Sequence, residues 1–360
     1  MPPTSTSSPS FHEGECALQE RVGVREQLAE IGPQVIRDYM PEQHREFMTQ
    51  LPFVIVGSVD AADQPWASVL ANPPGFIESP SPQQLVVRAR PGTFSPLKET
   101  LLPGKPIALL GIEPQSRRRN RVNGVVESVS SEGFAVHVRQ SFGNCPKYIQ
   151  ARQPEYVGTN GAGGKILQHA GQLDDAARKL ILGADTFFIA TSYPAAQHAN
   201  ESLHGADVSH RGGKPGFVRV DGDGALLVPD FAGNRYFNTL GNIAVNPQAG
   251  LLFIDYVAGD LLYLAVDAEI IWQGAELDAF AGAERLLRLR VREVRHVGGS
   301  LPLRWSERRL SPFLEATGSW GTRQRPGRQL VGRLGFCATI VSSEASASNP
   351  STTPDGVFLA

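Results

Sequence analysis

The two halves of this chain carry the same order of elements, and a repeated order calls for two copies of one small folding unit. In the first half a helix over 41–50 leads into the strand Phe53-Val54-Ile55-Val56-Gly57-Ser58-Val59. In the second, a helix over Asp174–Leu182 leads into Thr186-Phe187-Phe188-Ile189-Ala190-Thr191. Phe94, Leu97 and Pro103 precede the strand 107–113, and Phe237, Leu240 and Pro247 hold the same places before the strand 251–255. The strand after Glu113 answers to Asp260–Trp272, where Leu262, Leu264, Val266, Ala268, Ile270 and Trp272 share one apolar face. Trp66–Leu70 and Leu85–Val87 read as further strands, and 122–129 with 134–138 as a hairpin. Short strands in tandem, separated by turn signals, predict a mainly β fold with short helices (α+β), arranged as two small β-barrels.

This divides the chain into an N-terminal arm and helix (1–40), a first barrel (41–150), a Gly-rich linker (151–173), a second barrel (174–318) and a mobile tail (319–360). Charges and apolar residues from Glu13 to Glu30 permit one amphipathic helix in the arm. After the second barrel, Ala281–Val297 alternates Leu or Val with Arg285, Arg288, Arg290, Arg292 and Arg295, which predicts a strand with its arginines on an open face.

The most polar helix lies in the second half. Asp230, Gly233 and Asn234 are start signals and Asn246-Pro247 a stop. At about 100° per residue, Arg235, Asn238, Thr239 and Asn242 fall within roughly 60° of one another, opposite Tyr236, Phe237, Leu240 and Ile243. A guanidinium, two amides and a hydroxyl on one face suit phosphate oxygens, with free amides of the first turn behind them. The plain alternative is a solvated helix face.

The runs HRGGKPGFVRV, PDFAGNRYFNTLGN and NPQAGLLFID, with SPSFHEGE near the start and SFGNCPKYIQ in the middle, resemble the pyridoxamine 5'-phosphate oxidase-like family of FMN-binding split β-barrels. The likeness is to its tandem two-part bacterial branch. The resemblance implies six-stranded Greek-key barrels paired as a pseudo-dimer, with FMN at the barrel–barrel interface and flavin redox chemistry on a small molecule. It implies that Arg235, Asn238 and Thr239 hold the phosphate beside Pro229, Asp230 and Asn234. Ser209, His210 and Arg211 would line the isoalloxazine edge, and Lys147 would close over it. Arg119 and Arg121, in the run Arg117–Arg121, would form a positive rim; the run's plain reading is a solvated turn. The implied function is an FMN-dependent oxidoreductase with NAD(P)H as a visiting reductant. The alternatives are a flavin-sequestering protein, and a haem or deazaflavin binder.

Bulk properties exclude other classes. A net charge of −2 gives no global attraction for nucleic acid or a membrane surface. Cys16, Cys145 and Cys337 are odd in number and far apart, so they are neither a disulfide framework nor a zinc site. Cys145 has no base beside it and reads as a structural thiol. His204, Asp207 and His210 match no metal motif. No apolar run approaches the roughly 20 residues of a membrane span. The first ten residues lack a secretion signal, so the expected location is the cytoplasm. No Rossmann or Walker loop is present, so a nicotinamide would visit rather than reside. A homodimer is compatible with the pattern.

Overall fold

The computed structural model describes residues 10–158, 164–194 and 205–320. In chain order it begins with helices α1 (Glu13–Arg21), α2 (Arg25–Val35) and α3 (Glu42–Thr49). Strands β1 (Phe53–Val59), β2 (Pro65–Ala71), β3 (Ile77–Ser81) and β4 (Gln84–Val87) follow, then the short helix α4 (Leu97–Thr100). β5 (Pro106–Glu113), β6 (Arg118–Val129) and β7 (Phe134–Gly143) complete the first set, and β8 (Pro154–Tyr156) and β9 (Lys165–Ala170) lead to α5 (Asp175–Gly183). The second set comprises β10 (Thr186–Tyr193), β11 (Gly205–Gly212), β12 (Arg219–Val220), β13 (Leu226–Phe231), α6 (Asn238–Val245), β14 (Gln248–Ile254), β15 (Leu261–Ile271), α7 (Ala275–Asp278), β16 (Ala283–Gly298) and β17 (Leu303–Trp305).

The repeat read from sequence is visible in the topology. Among the described residues, one antiparallel sheet runs β2-β1-β5-β6-β7-β4-β3 and the other runs β11-β10-β14-β15-β16-β13-β12. Replacing each strand by its counterpart turns one order into the other. The second sheet gains β9, which pairs with β16.

Each sheet is buried on both faces at its centre, which is why β1 and β10 are unbroken apolar runs. Successive side chains point opposite ways. Val54 and Val56 therefore enter the first half's own core with Leu109, Val122 and Val136. Phe187 and Ile189 enter the second half's core with Leu251, Leu262 and Leu287. Phe53, Ile55, Ala108 and Leu110 instead meet Phe188, Ala190, Leu252 and Tyr263 in a third core shared by the two sheets. The close fit there depends on Gly250, where a Cβ would lie 2.2 Å from the Pro65 carbonyl oxygen of the other half.

The arm departs from the single helix expected over 13–30. Gly23, at φ +71°, breaks it into α1 and α2. A capping box starts α1: the Gly14 N–H donates to His12 Nδ1 at 3.1 Å, and the His12 N–H donates to Glu15 Oε2 at 2.9 Å. This turn seats α1 on α6, where a Cβ on Gly14 would stand 2.3 Å from the Gly241 carbonyl oxygen.

Three more expectations need correction. The run Arg117–Arg121 is not a free turn: Arg117 takes the left-handed conformation (φ +59°) and β6 begins at Arg118. The stretch 151–173 contains β8 and β9, whose backbones pair with β17 and β16. The β16 arginines do not share an open face: Arg285 is buried, and Arg295 lies 4.8 Å over the Trp66 ring. Most of the expected tail lies outside the described residues, but Trp320 is anchored, its indole N–H donating to the Phe217 carbonyl at 2.8 Å. No helix among the described residues is long and apolar enough to cross a membrane.

Gly250→Ala forces the two sheets apart. The expected cost is about 1–3 kcal/mol, read in differential scanning calorimetry as a Tm lower by several degrees with both halves still melting in one transition. Two separate transitions in the native protein would show that the halves are not one cooperative unit.

Candidate functional site

A cleft opens between the halves where β6, the turn after β7, β11, β13 and the start of α6 converge. With its open mouth included, it holds about 900 Å³ of space free of protein atoms. Its walls bring together every site residue expected from sequence except Asn242. Arg119, Arg121 and Lys147 come from the first half, and Ser209, His210, Arg211, Pro229, Asp230, Asn234, Arg235, Asn238 and Thr239 from the second. Sequence reasoning missed Glu284 and Arg285, which also line it. The signal for Arg285 appears only in the register, which sets it opposite Asp230.

The cleft is electropositive. Six cationic side chains (Arg119, Arg121, Lys147, Arg211, Arg235, Arg285) line it against two carboxylates, Asp230 and Glu284. Asp230 serves two guanidiniums, at 3.2 Å from Arg211 and 3.1 Å from Arg285. Arg285 also meets Glu284, which lies 3.6 Å from Arg235. Arg119 donates to the carbonyls of Cys145 at 2.7 Å and His210 at 3.4 Å. Burial lowers the Arg119 pKa to about 10. Arg121 donates to Asp207 at 2.9 Å and to the Ser209 hydroxyl. Even so, Arg121 Nε, Arg211 Nε and Arg285 Nη1 are buried without a hydrogen-bond partner among the described residues. Buried guanidinium N–H groups left unpaired are costly, so this donor set suits an anionic acceptor.

Backbone shape sets the cleft's floor. Arg235 (φ +61°) and Phe237 (φ +65°) are left-handed, so α6 starts at Asn238 and Arg235 stands before the helix rather than on its face. No side chain among the described residues caps α6, and its first turn opens on the cleft. The first N–H groups of a helix have no partner within it, and the helix dipole adds positive potential there. Thr239 donates to the Ser209 hydroxyl at 3.0 Å. Asn238 Nδ2 is engaged by Glu15 of the arm. Asn242, expected on the ligand-facing side, is fully buried and donates to Thr191 at 3.0 Å and Asp207 at 2.9 Å. The helix sinks into the protein after its first turn, so Asn242 builds structure behind the site.

Strand alternation sorts β11. Asp207 and Ser209 meet Arg121 on one face and Arg211 meets Asp230, whereas Ala206 and Val208 join the shared core. His210 goes with the latter pair: its ring packs at 5.7 Å against Phe188, and its carbonyl accepts from Arg119. Burial first, then Arg119 and Arg211, hold its imidazole well below the ordinary value, so it is neutral. Of the set His204, Asp207 and His210, His204 lies outside the described residues, and Asp207 is taken by Arg121, Asn123 and Asn242. The segment 145–148 closes one side. Tyr148 (φ +64°) rests its ring 5.1 Å from Phe231 and donates to the Ala232 carbonyl at 3.2 Å, with Lys147 5.4 Å from the Phe313 ring. A Cβ on Gly212 would lie 2.0 Å from the Tyr148 carbonyl oxygen, so only glycine admits this contact between halves.

The corresponding place in the other half is filled. Matching β1 to β10 puts Tyr263 where the cleft has Arg121, and Trp66 where it has Asp207. Both aromatic side chains are buried and Arg295 stacks on Trp66. An ion pair has been exchanged for two rings.

No family model matches the chain, and no curated protein matches it. Solved structures similar in part include HupZ of Group A Streptococcus, at 14% identity and TM-score 0.27 over 34% of this chain and 92% of that one. A protein of Lactobacillus delbrueckii, assigned provisionally as a pyridoxamine 5'-phosphate oxidase, matches at 14% identity and TM-score 0.27 over 36% of this chain and 98% of its own. HutZ of Vibrio cholerae, a haem storage protein, matches at 19% identity and TM-score 0.24 over 36% and 96%. Likenesses this slight carry no argument about ligand or reaction, which rests on the cleft.

Asp230→Ala leaves two guanidiniums without their shared carboxylate. Removing one partner of a buried pair costs about 3 kcal/mol. The urea midpoint should fall accordingly with an unchanged m-value; an unchanged midpoint would show that solvent already compensates both arginines.

Proposed function

We propose that the cleft holds FMN and that the chain is a flavoprotein in which two split barrels of the Greek-key type pair within one polypeptide. The observation that carries this reading is the conjunction of an uncapped helix start with partnerless guanidinium N–H groups in one cleft. Arg235 and the first-turn amides of α6 bind the phosphate, and Thr239 orients the Ser209 hydroxyl by donating to it. Arg211, Ser209, Pro229 and Asp230 border the ring, with Arg119 and Arg121 as the positive wall from the first half. Asn234 shapes the approach to Arg235 by accepting the Tyr236 N–H at 3.2 Å. Lys147 and Tyr148 exclude water from the open side. Among the described residues, Trp66 and Tyr263 occupy the counterpart of this cleft.

A bound flavin supplies hydride and electron transfer, and the protein's part is to bind, orient and desolvate it. The reading is therefore an oxidoreductase acting on a small molecule, with NAD(P)H as visiting reductant. A flavin-sequestering role uses the same cleft without turnover. A haem needs an axial ligand; His210 turns its ring toward Phe188, which leaves Cys145 and Tyr148 as the cleft side chains of a ligating type. Absorbance of the purified protein, then mass spectrometry of the released chromophore, separates flavin from deazaflavin and haem. Reduction by NADPH separates enzyme from store.

Arg235→Ala should weaken FMN binding about ten- to a hundredfold, the roughly 1.5–3 kcal/mol of a charge-assisted hydrogen bond. Arg290→Ala, exposed on β16 and outside the cleft, should leave it unchanged. Equal affinity of both variants in a flavin-fluorescence titration would remove Arg235 from the phosphate site.

A further inference from the structure

Behind the cleft lies a smaller cavity that shares Asn238 with it and is bounded by His12, Glu15, Arg139 and Asp207. Glu15 is buried, accepting from the His12 N–H at 2.9 Å and from Asn238 Nδ2. Among the described residues, groups from five elements and its own turn face it. His12, on its own turn, has Nε2 at 3.6 Å. Because Nδ1 accepts the Gly14 N–H, the ring proton sits on Nε2 and is given to Asn242 Oδ1 at 2.8 Å. From β10, Tyr193 stacks on the His12 ring at 4.1 Å. From β11 comes Asp207, a like charge. From β6 comes Arg121, already engaged by Asp207 and Ser209. From β7 comes Arg139, on the cavity's rim. From α6 comes Asn238, the single side chain between this carboxyl and the cleft.

We propose that Glu15 is a positioning residue for the ligand's anionic group: uncharged, it holds Asn238 at the wall of the loaded cleft, and ionised, it disfavours the ligand. This rests on the reading of the cleft as an FMN site. Glu15 accepts from two N–H groups, and Arg121, whose charge draws the Glu15 pKa down, is itself engaged by Asp207 and Ser209. Burial, then the charge of Asp207, pushes Glu15 up to about 8. An anion one side chain away adds further negative potential and favours the neutral carboxyl still more. By linkage, loading the cleft near pH 8 takes up a proton. The sign follows: affinity is full while Glu15 is protonated and falls as pH rises through about 8. The second ionisation of a phosphate monoester lies lower, at about 6, and the Glu15→Gln variant separates Glu15 from any other group of the cleft.

The test is a flavin-fluorescence titration of the full chain with FMN from pH 7 to 9, beside Glu15→Gln. The native Kd should rise up to about tenfold per pH unit above 8. Glu15→Gln, neutral throughout, should bind like the native chain at pH 7 and keep that affinity at pH 9. A flat native profile, or the same rise in both proteins, overturns the proposal. Should Glu15→Gln fail to fold, calorimetry of the native chain with FMN at pH 8 in two buffers of different ionisation enthalpy reads the proton directly. Uptake of up to about half a proton is expected, and none overturns it. FMN binding that is absent at every pH is a different failure: it removes the flavin reading, and this proposal with it.

Discussion

The structure turns on the buried ion pair between Arg121 of β6 and Asp207 of β11. Its atoms are 2.9 Å apart, and it joins the two halves across their shared interface. Charges removed from water are tolerated only when each is paired and its remaining atoms hydrogen-bonded. Asp207 meets that demand by also accepting from Asn123 of the first half and Asn242 of the second. Asn242 in turn binds Thr191 and His12, so one carboxylate ties together both sheets, the helix under the cleft and the arm. The apolar shared core sets how close the halves lie, and this polar set fixes their register.

The cleft is where local rules are broken. Arg235, Phe237 and Tyr148 all adopt left-handed backbone without being glycine, and all three line it. Such conformations persist only where surrounding structure overdetermines them, and they concentrate at functional sites. Here the reasons are visible. Two left-handed residues in three turn the chain sharply enough to aim the start of α6 into the cleft. The left-handed Tyr148 lays its ring on Phe231 while its carbonyl passes against Gly212. Spare guanidinium donors in the same place complete a region arranged for something other than its own stability.

The arm is part of that arrangement. A glycine on each side lets α1 and α6 touch backbone to backbone, and the capping box that starts α1 uses Glu15, which then reaches Asn238. One carboxyl thus caps a helix and supports a cleft-lining amide.

Much of this was legible in the sequence, for stated reasons. Apolar periodicity determined the strands, because a strand buried on both faces must be apolar throughout, as 53–59 and 186–191 are. The repeated order of helix and strand determined that the two halves share one topology. Residue types marked Arg235, Asn238 and Thr239 on the helix and the arginines of 117–121, while the resemblance to a known family pointed to 209–211 and to Pro229, Asp230 and Asn234. Tertiary structure alone decided what each does there. Asn242 looks like Asn238 on a helical wheel, but depth separates them: one turn further on, the helix is inside the protein. His210 looks like a cleft residue until the pleat sends its ring to Phe188. Arg285 reads as one of five exposed arginines until the β13–β16 register sets it against Asp230. Glu15 gives no sign of its place under the cleft, since a capping glutamate reads the same whether its helix lies in water or against another helix. Composition and spacing fix local shape and which faces are apolar; which charge is buried, and beside what, depends on residues hundreds of positions away.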